Sequence, residues 1–188
     1  MAFLRIKPVR KENKVHHYVY EVESYKYKGK VKQRTIRFLG KHVRLEKKLN
    51  KKFSLSRIKK HDSREALLKE IFAHNLLNYG FKQIKENEWR LRNIVADLNT
   101  LRVFHSQTER DIYINMNEKF FGSHTLNKAL KSDSSDIVEF VKTIIDAGAL
   151  DKEKKHDFKL LQLITEKFRP EAKMEESSFK DFAKEIGY

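Results

Sequence analysis

Apolar residues recur at every second position early in the chain. In "VHHYVYEVESYKY" (Val15 to Tyr27) and "VKQRTIRFLG" (Val31 to Gly40) they follow the two-residue period of a strand. "KGK" (Lys28 to Lys30) supplies a glycine turn between them. "FLRI" (Phe3 to Ile6) reads as a further strand, ended by Pro8. The period puts Tyr18, Tyr20 and Val22 on one face. On the partner strand it puts Ile36 and Phe38 on one face and Gln33, Thr35 and Arg37 on the other, with Arg5 and Lys7 joining the wet side. A three-stranded antiparallel sheet is expected, one side apolar and the other basic. So few residues bury little alone, so the module is expected to lean on another part of the chain.

The period then breaks. "KHVRLEKKLNKKFSLSRIKK" (Lys41 to Lys60) has Leu45 and Leu49 at helical spacing but few other apolar anchors. A short, marginal helix is expected, ordered only when a partner is bound. From His61 the period is 3.6. Leu67, Leu68, Ile71, Leu76 and Tyr79 make one stripe, Asp62 and Glu65 have capping-box spacing, and Gly80 stands where a C-cap glycine belongs. Phe81 to Met116 reads mostly as strand. "FKQIK" and "EWRLRNI" flank an "EN" turn, and "TLRVFHS" and "DIYINM" flank "QTER". Between these pairs, Ile94, Leu98 and Leu101 also fit a helix. "HTLNKALK", "SDIVEFVKTIIDAGAL" and "HDFKLLQLITEKF" are helical, with Ser135 as a cap, Gly148 as a stop and Pro170 ending the third. "SSFKDFAKEIGY" suggests a short terminal helix. The expected fold class is α+β. A basic β-module (1–40) and a basic linker or short helix (41–61) precede a mixed helix and β-hairpin domain (62–169) and a tail with a short helix (170–188).

Charge sharpens this picture. The net charge of +15 is unevenly spread. Residues 1–60 hold 20 Lys/Arg against 4 Asp/Glu, giving +16; residues 61–188 hold 21 against 22, giving −1. A solvated lysine-rich surface normally raises Lys and Glu together. Here the acids are missing where the bases are densest, which points to a polyanionic partner for the first third. There is no cysteine, so disulfides and thiolate chemistry are excluded. No apolar run approaches a membrane span, and no secretory h-region opens the chain, so a cytoplasmic protein without membrane contact is expected.

The sequence offers little catalytic chemistry. Its six glycines build neither a GxGxxG nor a P-loop. His16 and His17 are strand neighbours and point to opposite faces, and "DIYINMNE" lacks the spacing of an EF-hand loop. Ser123-His124 lacks an obvious acid and reads as a helix start. No metal, no cofactor and no enzyme activity are expected.

"HYVYEVESYKYKGKVKQRTIRFLGK" resembles the opening module of many insertion-sequence transposases: a Tyr/Val strand ending in "VESY", a basic glycine turn, "KVKQRT" and a hydrophobic "LG". Similar modules open small archaeal proteins. The likeness covers residues 18–41 and carries no catalytic residue. It implies that Lys30, Lys32, Arg34 and Arg37 face nucleic acid. A transposase of this kind also has a large nuclease core with three separated acids. About 150 residues follow the module, too few for that core, so transposition is not expected.

For DNA the usual reader is a helix in the major groove. "HTLNKALK" and "DSSDIVEFVKTIIDAGAL" have a helix-turn-helix outline, but the second helix offers Ile137, Val138, Phe140, Val141, Ile144 and Ile145, with Lys142 its only base. It suits a core or a protein interface. The remaining cations are Arg5, Lys7, Lys30, Lys32, Arg34 and Arg37 on the sheet, and Lys47, Lys48, Lys51, Lys52, Lys59 and Lys60 on the arm. In layout the chain looks like an archaeal ribosome-associated factor of the dimerising or hibernation type. That favours a non-enzymatic protein binding structured RNA on the ribosome, beside ribosomal proteins, with a homodimer formed through the apolar helices. The alternative is a DNA-binding protein or regulator derived from a transposase N-terminus. Tyr25, Tyr27 and His17 are the candidates for base stacking.

Overall fold

The computed structural model describes residues 2–130, 137–150 and 155–168, together with Asp181 and Lys184. The expected Ser135 cap, the Pro170 stop and the terminal helix lie outside them. The class is α+β. Three long strands open the chain: β1 (Ala2–Lys11), β2 (Lys14–Tyr27) and β3 (Lys30–Val43). A 3-10 turn (Leu55–Lys60) and α1 (Arg64–Asn78) follow, then β4 (Lys82–Lys85), β5 (Glu88–Leu91), β6 (Ile94–Asp97), β7 (Arg102–His105), β8 (Ile112–Met116) and β9 (Lys119–Phe121). Helices α2 (Ser123–Leu130), α3 (Ile137–Asp146) and α4 (Lys155–Phe168) complete the described chain.

The strands form two sheets, ordered β1-β2-β3-β8-β9 and β4-β5-β6-β7. Only β3 and β8 pair in parallel, through Lys41–Ile112, His42–Tyr113 and Val43–Ile114. This junction ties the first strands to the rest of the chain. Gly40 makes it possible. Its φ is +149°, and a Cβ there would overlap the Asp111 carbonyl.

Several expectations change. Pro8 does not end β1, which runs on to Lys11. A proline is tolerated because β1 is the outer strand, where a missing N–H costs little. The second expected hairpin does not form. β7 closes the four-stranded sheet, β8 joins the five-stranded one, and a single bridge, Phe104–Asp111, links the two segments. The ambiguous stretch is strand at β6 rather than helix. The cap of α1 is Ser63, not Asp62: its hydroxyl accepts from Ala66 N at 3.1 Å. Gly80, at φ +88°, does close α1, with Gly80 N bonded to Leu77 O and Phe81 N to Leu76 O.

The apolar stripe of α1 (Leu67, Leu68, Ile71, Phe72, Leu76) enters one core with Ile112, Ile114, Met116 and Phe121. Phe140, Val141, Ile144 and Ile145 of α3 and Leu160, Leu161 and Ile164 of α4 join the same core. The side chains offered by sequence for dimerisation are therefore largely spent inside the chain. The reading of α3 as a core helix rather than a groove reader agrees with this burial.

The basic linker differs most from expectation. Residues 44–54 form no helix, and Leu49 is exposed. They form an extended strap held by side-chain amides. Asn115 accepts from Leu45 N at 2.8 Å and donates to Leu45 O at 3.2 Å. Asn78, 2% exposed, accepts from Lys51 N and donates to Lys51 O, while its own carbonyl takes Lys48 N and Leu49 N. These amides satisfy backbone groups that a lone strap leaves open. Phe53 and Ile58 then anchor it in the core. The linker's backbone is thus held by side-chain amides of its own chain.

Candidate nucleic-acid interface

Two irregularities decide which side chains share a face of the first three strands. The β2–β3 register shifts between Val19 and Tyr20 and again between Glu21 and Val22. Each shift adds one residue to β3, first Leu39 and then Ile36. A one-residue slip exchanges the faces of every later residue. The second shift restores the first, so the simple two-residue period fails only between them, at Arg37 and Phe38.

One face carries Arg5 and Lys7 of β1, Tyr18, Tyr20 and Lys26 of β2, and Gln33, Thr35, Phe38 and Lys41 of β3. Contacts agree with this register. Arg5 Nη1 donates to Gln33 Oε1, and Lys7 Nζ donates to Thr35 Oγ1 at 2.7 Å while lying 4.9 Å from the Tyr20 ring centre. Phe38 packs against Tyr18 and Tyr20 at 5.6 and 5.5 Å. Lys11 and Lys14, opposite one another beside the first turn, belong to this face too. Its strands hold six cations and no carboxylate among the described residues. Glu12, in the turn, and Glu109 and Asp111 lie at its foot beside Lys11 and Lys41.

The opposite face carries Glu21, Glu23, Tyr25 and Tyr27 with Lys30, Lys32, Arg34 and Arg37. Its arginines are matched. Arg34 reaches Glu23 at 2.7 Å and Arg37 reaches Glu21 at 2.6 Å. The tyrosines are covered by cations, Lys32 over Tyr27 at 4.5 Å and Arg34 over Tyr25 at 6.0 Å. Exposed pairs of this kind add little stability, about 0–1 kcal/mol each. Electrostatically they matter more, because each carboxylate cancels an arginine that a phosphate would otherwise meet. Arg5 and Lys7 of the first face bond neutral groups, so their charge stays available.

β1 pairs with β2 only as far as Glu23. Residues 24–33 therefore form a two-stranded tip, with Lys26, Lys28, Lys30 and Lys32 and no acid. Tyr25, Tyr27 and Val31 are exposed there at 40%, 49% and 69%. A two-stranded β-ribbon fits the major groove, about 12 Å wide.

Residues 4–73 match the family of IS1634 transposases, N-terminal domain. The match spans just over a third of the 188 residues. It extends beyond the 18–41 likeness to take in most of β1, the whole strap and α1 as far as Ala73. No curated protein and no solved structure matches the chain.

The twelve cations singled out by sequence do not form one surface. Arg5 and Lys7 lie on the acid-free face, and Arg34 and Arg37 on the other, beside their glutamates. Lys30 and Lys32 are at the tip. Lys47 is half-buried, donating to Asn117 Oδ1 at 3.1 Å and lying over Tyr79. It belongs to the clamp that holds the strap. Lys47, Lys51 and Lys52 line a separate cavity of about 410 Å³ with His74 and Asp157. Lys48 is exposed, and Lys59 and Lys60 are exposed at the end of the 3-10 turn. Sequence reading passed over Lys11, Lys14, Lys26, Lys28 and Lys41. The Tyr/Lys alternation of "YKYKGK" is a signal for the tip, and the two-residue period from Gln33 and Thr35 already puts Lys41 on their face, because the two register shifts cancel there.

At the foot of the arginine face, α2 closes over the sheet. Arg37 also contacts His124 Nδ1 at 3.0 Å, and His124 N donates to the Tyr113 hydroxyl at 3.2 Å. Burial pushes the Tyr113 phenol up to about 12. Ser123 donates to Asp111 Oδ1 at 3.0 Å, so Ser123 and His124 hold α2 to the sheet through separate partners. Burial lowers the pKa of His42, aided by His17 and Arg44, and burial followed by Arg37 lowers that of His124. The folded chain thus keeps both rings neutral at a pH where the unfolded chain protonates them. Stability should fall as pH drops through the ordinary histidine value of 6.5. Urea unfolding at pH 7.5 and 5.5 checks this. The loss between the two should shrink in His42→Gln/His124→Gln.

No helix among the described residues is long and apolar enough to cross a membrane.

Proposed function

We propose that this chain is a non-enzymatic DNA-binding protein that grips duplex DNA with its first three strands. The acid-free face and the lysine tip lie along the phosphate backbone, with the ribbon tip in the major groove. The observation that carries this reading is the separation of charge between faces. Six cations on one face make no ion pair among the described residues, whereas both glutamates of β2 sit on the other and pair its arginines. The match to a transposase N-terminal domain favours DNA over the structured RNA and ribosome that layout alone suggested. The rest of the chain, through β8 and the strap, supplies a rigid base for the ribbon.

Competition binding tests the choice of polymer. At equal salt, unlabelled duplex DNA should displace a labelled duplex better than a folded RNA of equal length. If the RNA competes better, the ribosome reading takes its place. Neutralising six phosphates should also give a slope of roughly −5 in log affinity against log salt for duplex DNA. A shallow slope is the result expected of a protein-binding adaptor.

A further inference from the structure

At the foot of the acid-free face lies a cleft of about 780 Å³, within the range of small-ligand sites. One wall is sheet: His16, Tyr18, Phe38 and Lys41. The other is the loop from His105 to Asp111. We propose that this cleft takes a single unpaired nucleotide of bound DNA. Its base stacks on Phe38, and its phosphate is held by Lys41 and Arg110. The inference rests on the DNA-binding reading and adds a specificity to it.

Four observations lead there. Phe38 is 57% exposed, although Tyr18 and Tyr20 pack against it on its own face. A phenyl ring held in place but uncovered suits a flat partner. Lys11, Lys41 and Arg110 line the cleft and make no ion pair among the described residues. The lining also holds three carboxylates, Glu12, Glu109 and Asp111; Asp111 is already engaged by Ser123 and Arg102, so three cations face two remaining acids. The far wall is preformed: His105 N bonds Arg110 O, and Glu109 N bonds His105 O, both at 2.9 Å or less. Finally, the cleft continues the face along which the duplex lies.

Why an unpaired nucleotide? Inside a duplex each base has both faces covered by its neighbours. Only an extruded or single-stranded base can lay a face on Phe38. An aromatic ring beside a cationic track is how many proteins hold unpaired bases.

The test compares two probes of one sequence, a fully paired duplex and the same duplex with one bulged nucleotide. The full chain should bind the bulged probe about tenfold more tightly, a typical effect of one base–aromatic stack. Phe38→Ala should bring the ratio of the two affinities, bulged over paired, to below twofold, and that ratio is the readout. Phe38→Trp should keep the preference, which separates stacking from a folding defect. A 5-iodouracil placed in the bulge should crosslink to the peptide containing Phe38. If the native chain shows no preference, or Phe38→Ala keeps it, the cleft inference falls while the DNA grip stands. If neither probe binds, both readings fall.

Discussion

Replacing Arg5 and Lys7 together by glutamine should weaken duplex binding by about 100-fold and make its salt dependence shallower. The two cations stand mid-way along the acid-free face, bonded to the neutral Gln33 and Thr35. Those bonds orient the side chains without consuming charge. A charge-assisted hydrogen bond to phosphate is worth roughly 1.5 kcal/mol or more, so two lost contacts come to about 3 kcal/mol. That is about two decades in affinity. Each lost phosphate contact also removes about 0.9 from the salt slope, so it should become shallower by about 1.8.

The matching pair on the other face is the control. Arg34→Gln/Arg37→Gln should cost less than about fivefold, because reaching a phosphate from there first means breaking an arginine–glutamate pair. Titrations across a range of salt, read by fluorescence anisotropy, measure both variants. If the Arg34/Arg37 variant loses more affinity than the Arg5/Lys7 variant, the interface has been placed on the wrong face.

The second large effect concerns stability. Gly40→Ala should destabilise the protein by about 3 kcal/mol or more. Two costs add. An alanine at φ +149° is strained, by about 1–3 kcal/mol. Its Cβ would also overlap the Asp111 carbonyl, which is backbone and cannot rotate away. Lys41 N bonds that same carbonyl at 3.3 Å, and the parallel β3–β8 pairing starts at the next residue. Relief therefore requires β3 and β8 to separate. Chemical denaturation should show a lower midpoint. Hydrogen exchange should show loss of protection at residues 41–43 and 112–114 before the α1 core. Gly29→Ala serves as a contrast: its Cβ would meet nothing, and its φ of +74° leaves only the backbone strain.

Local periodicity specified much of this molecule. The 3.6 spacing from Leu67 to Tyr79, the glycine after it and the strand runs from Phe81 to Met116 read correctly, because each depends on neighbours within a few residues. Charge asymmetry was legible for the same reason: it is a sum along the chain. Face assignment was not. Along β2 the alternation held, with Tyr18, Tyr20 and Val22 opposite Lys7, Arg5 and Phe3; along β3 it put Arg37 with Gln33 and Thr35, where Phe38 stands instead. Two extra residues in β3 exchange the faces of Arg37 and Phe38 between them, and no local feature of Ile36 or Leu39 announces it.

The sequence by itself determined that the first third is cationic, that it forms β-structure and that the helices bury an apolar stripe. Tertiary structure alone decided which cations remain free. It sent Arg34 and Arg37 to the glutamates of the neighbouring strand and left Arg5 and Lys7 on neutral partners. It turned a lysine-rich linker into a strap by bringing up Asn78 and Asn115, from segments about 30 and 70 residues away in sequence. The physical reason is common to both. The charge a polyanion meets depends on which side chains lie across from one another, and that follows from strand register and long-range hydrogen bonds rather than from the order of residues.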